Sequence, residues 1–422
     1  MEWMLSRKGK PFVLGSMSVI AGPVQSGKTD MVEAHLDSLV DSTYMKDGNV
    51  LVFRHPYDDP NPERIGRHQT IVTNNAHNIY ENIQPHTGTV IILGASHYQN
   101  QNIVTLTDAI VRSNRQLILS GLNLDLNGKP HNRMGELMAL ADAVEKTTNV
   151  CKSCSDREGT RSVFRDGEYR QSCVTHIENP LAEPITVGEK GYLEVYVGPM
   201  FSGKTTGWFR KLRRDRRAGM DPITFKLRRH IRYNERPVDL FERGDIGLNA
   251  GCGTNGDKEY AIAVDETSHI VDYLQKHPSQ KVVYVDEAQF FPGLYNAIAQ
   301  RLPQGYQFNL TGLPRGFNRQ KFGEIGDLMC LADKVEMNYA VCVGPNGTAC
   351  GHPATENQRM KRIGNDPTPI PAHHDDPLEA IGGADTGRVE FFYQARCLKH
   401  WILDGEPKNP FTLERFVWEY EP

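Results

Sequence analysis

GPVQSGKT at residues 22–29 and GPMFSGKT at residues 198–205 are two copies of one G-x-x-x-x-G-K-[ST] stretch in a single chain. In such a stretch the glycines let backbone N–H groups converge on phosphate oxygens, the lysine neutralises phosphate charge and the last hydroxyl ligates magnesium. Each copy follows a short apolar run, MSVIAGPVQ or YLEVYVGPM, and precedes a helix-like segment, DMVEAHLDSLV or TTGWFRKLRRDRRA. Strand, glycine-rich turn and helix is the local frame that a phosphate loop requires. Further apolar runs at VLVFRH, TVIILGA and QLILSGL, and at PITFKL, KVVYVDEA and QFNLTGL, predict a parallel sheet flanked by helices in each half. The fold class expected is therefore α/β, with two phosphate-loop domains.

Each loop is followed by a cysteine and histidine cluster, so the repeat is a whole domain. In the first half Cys151 and Cys154 form C-x-x-C, and Cys173 with His176 forms C-x-x-H. In the second half Cys342 and Cys350 precede Cys397 and His400, with His352 as a substitute ligand. Four thiolate and imidazole ligands favour tetrahedral zinc, and a closed set leaves no open position, which makes both sites structural. The chain is read as a first domain at 1–180, a linker at 181–190 and a second domain at 191–422. The linker lies in HIENPLAEPITVGEKG, which is rich in Pro, Gly and Glu and has no periodicity. A second irregular stretch, residues 364–386, separates the two knuckles of the second cluster.

Composition narrows the class further. The 422 residues are 39% hydrophobic and 24% charged, and no apolar run approaches the roughly 18 residues of a membrane span. The amino terminus lacks the apolar core of a signal peptide, so a cytoplasmic location is expected and the cysteines read as metal ligands rather than disulfides. A net charge of -4 argues against a stable nucleic-acid complex. One basic stretch, between Arg210 and Arg232, reads either as a solvated helix face and loop or as a phosphate-attracting rim.

The halves differ where chemistry is done. The second carries DEAQFF at residues 286–291, and the first has GASHYQ at residues 94–99. KVVYVDEAQFF has the form of a Walker B strand, whose Asp286 supports magnesium alongside Thr205. Glu287 then accepts a proton from an attacking hydroxyl or orients a water, so kinase and ATPase both fit the motif.

GPMFSGKT, DEAQFF, TGLPRGFNRQKFG, LADKVEMNYAVC and a terminal IGGAD with a tyrosine and C-x-x-H together resemble the type II thymidine kinases, over nearly all of the second half. The resemblance implies two RecA-like domains, each followed by a small zinc-ribbon and lasso domain. It implies phosphate transfer from ATP to the 5′-hydroxyl of thymidine, with Glu287 as general base. It places the phosphates on Gly198, Pro199, Met200, Phe201, Ser202, Gly203, Lys204 and Thr205, with Asp286, Gln289 and Arg232 beside them. It assigns the nucleoside to Met200, Phe290, Phe317, Phe322 and Tyr393, under a lasso drawn from the irregular stretch. Thymidine triphosphate enters as a feedback ligand, and a homodimer imitating the family's tetramer is expected. Two residues depart from the family pattern, His230 in place of an aspartate and Pro314 after Leu313. The first half resembles the family more faintly. Gly94 and Ala95 are aligned with Asp286 and Glu287, and Leu126 and His131 with two phenylalanines, which reads as a pseudokinase with a vestigial loop at Gly22, Gly27, Lys28 and Thr29. A nucleotide-binding regulator or scaffold, and a zinc-ribbon ATPase acting on nucleic acid, are the alternatives.

Overall fold

Runs such as TVIIL, rich in β-branched residues and buried along their whole length, can only be strands covered on both faces, and they set the frame of each half. In the first half the strands are β1 (Ser16–Gly22), β2 (Val50–Arg54), β3 (Arg64–Ile65), β4 (His68–Val72), β5 (Thr89–Leu93), β6 (Gln116–Leu122) and β7 (Ala143–Lys146). They form one sheet in the order β3-β4-β2-β5-β6-β1-β7, parallel except for the β3 edge. The second half repeats this order with Asp245–Asn249, Lys258–Val264, Pro222–Leu227, Val282–Val285, Gln307–Gly312, Tyr192–Val197 and Lys334–Met337. Its edge strand Asp245–Asn249 is again antiparallel. The apolar runs give four strands of each sheet; the antiparallel edges, and the parallel strands β4, β7, Lys258–Val264 and Lys334–Met337, are not among them. The computed structural model describes residues 15–41, 49–58, 64–66, 68–153, 158–165, 168–173, 191–228, 245–249, 258–345, 347–364, 368–378 and 389–416. The two six-stranded parallel arrays are those of RecA-like domains.

Strand order positions the site. The phosphate loops leave the carboxyl ends of β1 and Tyr192–Val197, and the DEAQFF and GASHYQ segments leave strands two places away in the same sheets. Ligands of open parallel sheets bind along this carboxyl edge. Beyond the second sheet lie a hairpin, Ala340–Val343 with Ala349–Ala354, and a three-stranded sheet of Ile370–Pro371, Glu356–Ile363 and Val389–Arg396. Its first-half counterpart is the hairpin of Arg161–Arg165 with Glu168–Ser172.

The two halves do not bury separate main cores. One apolar cluster runs through both, joining Met134, Leu137 and Met138 to Ile325, Leu328 and Met329. The helices Met134–Leu140 and Ile325–Leu331 pack on each other, and their repeated sequences MGELMAL and IGDLMCL are apolar on the meeting faces. Gly135 and Gly326 make this approach feasible, since a Cβ on Gly326 would fall inside van der Waals contact of the Gly135 carbonyl. Gly326→Ala is accordingly expected to cost about 1–3 kcal/mol by forcing the helices apart, read as a fall in thermal midpoint. The chain's C-terminal segment also crosses to the first half: Phe411 packs on Tyr80, Arg115 donates to the Glu414 carbonyl, and Phe416 N–H donates to Ser113. Among the described residues no helix is long and apolar enough to cross a membrane.

Candidate active site

Lys204 opens the helix Lys204–Arg217 and is buried, with its Nζ donating to the Pro199 carbonyl at 3.3 Å. Lys28 makes the same bond to Pro23 at 2.5 Å. In both loops the ammonium is thus held across the turn whose N–H groups cradle an anion. Ser202 Oγ is buried with no hydrogen-bond partner among the described residues, the kind of orphan that a phosphate oxygen at this loop satisfies. Its first-half counterpart, Ser26, is bonded to Pro23 and Thr147. Met200 N–H donates to Asn357 Oδ1 at 2.8 Å, which ties the loop to the sheet beyond. Phe201 has φ +66° and is 71% exposed, so it lines the loop's outer rim. Thr205 follows Lys204 in the first helical turn, where its hydroxyl and the Asp286 carboxylate fit magnesium as hard oxygen donors.

Asp286 is nearly buried at the end of Val282–Val285 and lies 4.0 Å from Lys226 Nζ. Glu287 follows in the left-handed region, φ +52° and ψ +50°, which turns its side chain out of the strand line. Gln289, placed beside the phosphates by resemblance, is held between two neighbours. Its Nε2 donates to Glu287 Oε2 at 2.6 Å and its Oε1 accepts Leu313 N–H at 3.1 Å, so its buried amide braces the carboxylate. Lys226 belongs to the basic stretch whose reading was open. That stretch is split, for Lys211 pairs with Asp215 on the helix face, whereas Lys226 reaches Asp286 from a strand.

Phe290 and Phe322 meet edge to face, ring centroids 5.2 Å apart. Phe317 is buried beneath the Arg359 guanidinium, 3.8 Å above its ring, and Tyr393 is paired with Arg359 across the small sheet. The expected lasso is narrower than the irregular stretch. Residues 370–371 join the small sheet, Ala372 N–H donates to Arg359, and His374 N–H donates to Asp404, because each backbone group there finds a strand or loop partner. IGGAD, His230 and Arg232 lie outside the described residues.

The first half presents the same edge with other groups, and the sheet register corrects the alignment of GASHYQ by one residue. Ile92 pairs with Leu119 as Val285 pairs with Leu310, so Leu93 stands in the place of Asp286 and Gly94 in that of Glu287. Gly94 has φ +68° and starts the same short turn. His97 then falls on Phe290, and His97 and His131 meet edge to face at 5.2 Å, the geometry of Phe290 with Phe322. His55 stacks on His97 at 5.2 Å. Burial, with His131, His55 and Lys28 nearby, pushes His97 down to about 4, so it is a neutral ring at physiological pH.

Cys342, Cys350, Cys397 and His400 bring their ligand atoms within 4.8 Å of one another, a set compatible with tetrahedral zinc. His352 lies beside Cys350, Sγ to Nδ1 3.4 Å, and is outside the four-residue set. Cys397→Ser is expected to abolish zinc retention at this site and to release the strand Val389–Arg396, read as metal content and protease sensitivity, since metal binding energy here is folding energy. Of the first cluster, Cys151 and Cys173 are buried, and Cys154 and His176 lie outside the described residues.

Asn357, Lys226 and the bracing role of Gln289 escaped the sequence reading. Asn357 lies in a run of five buried residues, Glu356 to Met360, that are mostly polar, so neither alternation nor an apolar run marks it in the sequence. A family model described as thymidine kinase matches residues 15–174 and 191–401.

Proposed function

The chain belongs to the thymidine kinase family, and on that premise we propose that its second half transfers the γ-phosphoryl group of ATP to the 5′-hydroxyl of thymidine. The observation that carries this is Glu287, turned out of the strand end and braced by Gln289, on the sheet edge that also presents Lys204. Glu287 takes the hydroxyl proton as the oxygen–phosphorus bond forms and the bond to the leaving ADP oxygen breaks. Lys204 and the loop N–H groups hold the β- and γ-phosphates, and Phe290 with Phe322 forms an apolar wall for the nucleoside. Magnesium, when bound, supplies charge neutralisation at the phosphates, and Thr205 and Asp286 are the residues that would hold it. The first half, with Leu93 and Gly94 in place of the two acids, is read as a structural or regulatory pseudokinase. We read the protein as cytoplasmic, feedback-inhibited by thymidine triphosphate and dimeric, by extension from the family. Product analysis with magnesium ATP and a panel of deoxynucleosides tests the proposal. Thymidine monophosphate is expected. No product from zinc-loaded, folded protein would overturn the reading in favour of a binding role.

A further inference from the structure

Two crevices between the halves are mates under the internal repeat. One, of about 500 Å³, is lined by Asp108, Arg112, Leu140 and Arg319, and the other, of about 300 Å³, by Ala299, Pro303, Leu331 and Gly128. Sheet pairing sets the correspondence, because Leu117 lies against Met17 as Phe308 lies against Leu193, and the bridge Leu124–Pro130 recurs as Arg315–Lys321 at the same offset. In the larger crevice the charges close on one another. Glu356 is paired with Arg315 and Arg319, and Asp108 with Arg319 and Arg112. In the smaller one Leu124 and Gly128 stand in the places of the two arginines 315 and 319, and Ala299 and Pro303 in those of Asp108 and Arg112. The place of Glu356 is held by Arg161. Ser162 Oγ accepts the Val24 N–H of the first phosphate loop as Asn357 Oδ1 accepts the Met200 N–H of the second, and Arg161 and Glu356 each stand one residue earlier.

Arg161 is therefore a buried cation in the position of a buried anion. It donates to the Thr160 carbonyl and, across the junction, to the Leu331 carbonyl, and it forms no ion pair among the described residues. Asp333 acts on it only from a distance and accepts the Leu193 N–H. Lys146 donates to the Met329 and Cys330 carbonyls of the same helix end and lies close enough to repel Arg161. A helix end offers about half an elementary charge, which two cations exceed. Asp125, the acid in the lining, has its Oδ1 on the N–H groups of Asn127 and Lys129 in its own turn. A buried charge in this condition is costly until a counter-ion meets it.

We propose that the smaller crevice binds a small oxyanion, a carboxylate or a phosphate, on Arg161, with any short apolar tail against Ala299, Leu302 and Pro303. The planar guanidinium matches such a group with two parallel bonds, and Gly128 has no side chain where Arg319 has one. This site is separate from the phosphate loop, because successive residues of the strand Arg161–Arg165 point to opposite sides, Ser162 to the loop and Arg161 to the other half. It is independent of transfer in the second half.

Calorimetric titration of the zinc-loaded full chain, with Lys28→Ala and Lys204→Ala silencing both phosphate loops, tests it with inorganic phosphate and separately with isovalerate. One equivalent per chain is expected for at least one probe, with Kd below about 10 mM. Phosphate alone would make the ligand a phosphate, and isovalerate alone an organic acid. Arg161→Met is expected to weaken binding by about tenfold or more. Ala299→Asp, which gives this crevice the carboxylate that Asp108 gives its mate, is expected to do the same with Arg161 intact, and so serves even where the loss of Arg161 unfolds the first half. Binding of neither probe, or binding unchanged in Ala299→Asp or in folded Arg161→Met, overturns the proposal.

Discussion

Glu287→Gln is expected to lower thymidine phosphorylation by about 10²–10⁴-fold, the range that a positioned general base contributes, while the affinity for ATP stays within a factor of about two. The separation follows from where the residue stands. Glu287 is turned out of the strand by its own left-handed backbone and fixed through Gln289, whereas the phosphates are met by the loop at residues 198–205 after another strand. Glutamine keeps the length and one hydrogen-bonding oxygen for Gln289, so the brace and the Leu313 contact survive the change. What it loses is the capacity to take a proton at physiological pH. Steady-state rates with a parallel nucleotide titration decide the matter. Turnover close to wild type would remove Glu287 as base, and a large fall in ATP affinity would mean that the carboxylate serves the phosphates.

Much of this site was legible in the sequence because its parts are local. A phosphate loop, a strand ending in two acids and a C-x-x-H pair are each written in a few consecutive residues, and the apolar runs around them identify the strands. What was misread depended on relations between segments. The offset of one residue at Gly94 arises because GASHYQ and DEAQFF share only an alanine, Ala95 and Ala288. The true register appears only when β5 is laid against β6. The bond of Gln289 to Glu287 is likewise a relation of side chains that the motif does not spell out. The contact of Asp58 with Gly94 could not be found locally, since the two residues are 36 positions apart and meet only through the pairing of β2 with β5. The shared core was hidden for a related reason. MGELMAL and IGDLMCL each read as buried helices, and nothing within either says that the other covers it.

That shared core gives the largest expected effect on stability to Arg315. Its side chain is buried, and it donates across the junction to the carbonyls of Ala139, Leu140 and Ala141 and to Asp142, and within its own half to the Thr355 carbonyl and both oxygens of Glu356. A cation at these last carbonyls of Met134–Leu140 also opposes the helix dipole. Arg319 adds a second contact to Glu356 and one to Asp108 of the first half. Burial pushes the Glu356 carboxyl up, but Arg315 and Arg319 outweigh it and hold it below the usual carboxylate range. Removing one partner of such a buried cluster costs about 3–5 kcal/mol, and Arg319, which stays, sets the expectation for Arg315→Ala at about 3. The sign of the pH dependence is fixed by the same pair. A depressed carboxyl stabilises the fold above its unfolded value and loses that contribution as pH falls through its folded value. The penalty of Arg315→Ala should therefore be full at neutral pH and shrink in acid, where Glu356 is protonated in both proteins. Denaturant unfolding of the two chains at neutral and acidic pH measures this, with the halves of the wild type melting together because their core is one. An equal penalty at both values would assign Arg315 to the helix carbonyls instead of Glu356, and no penalty would detach the junction from the stability of the fold.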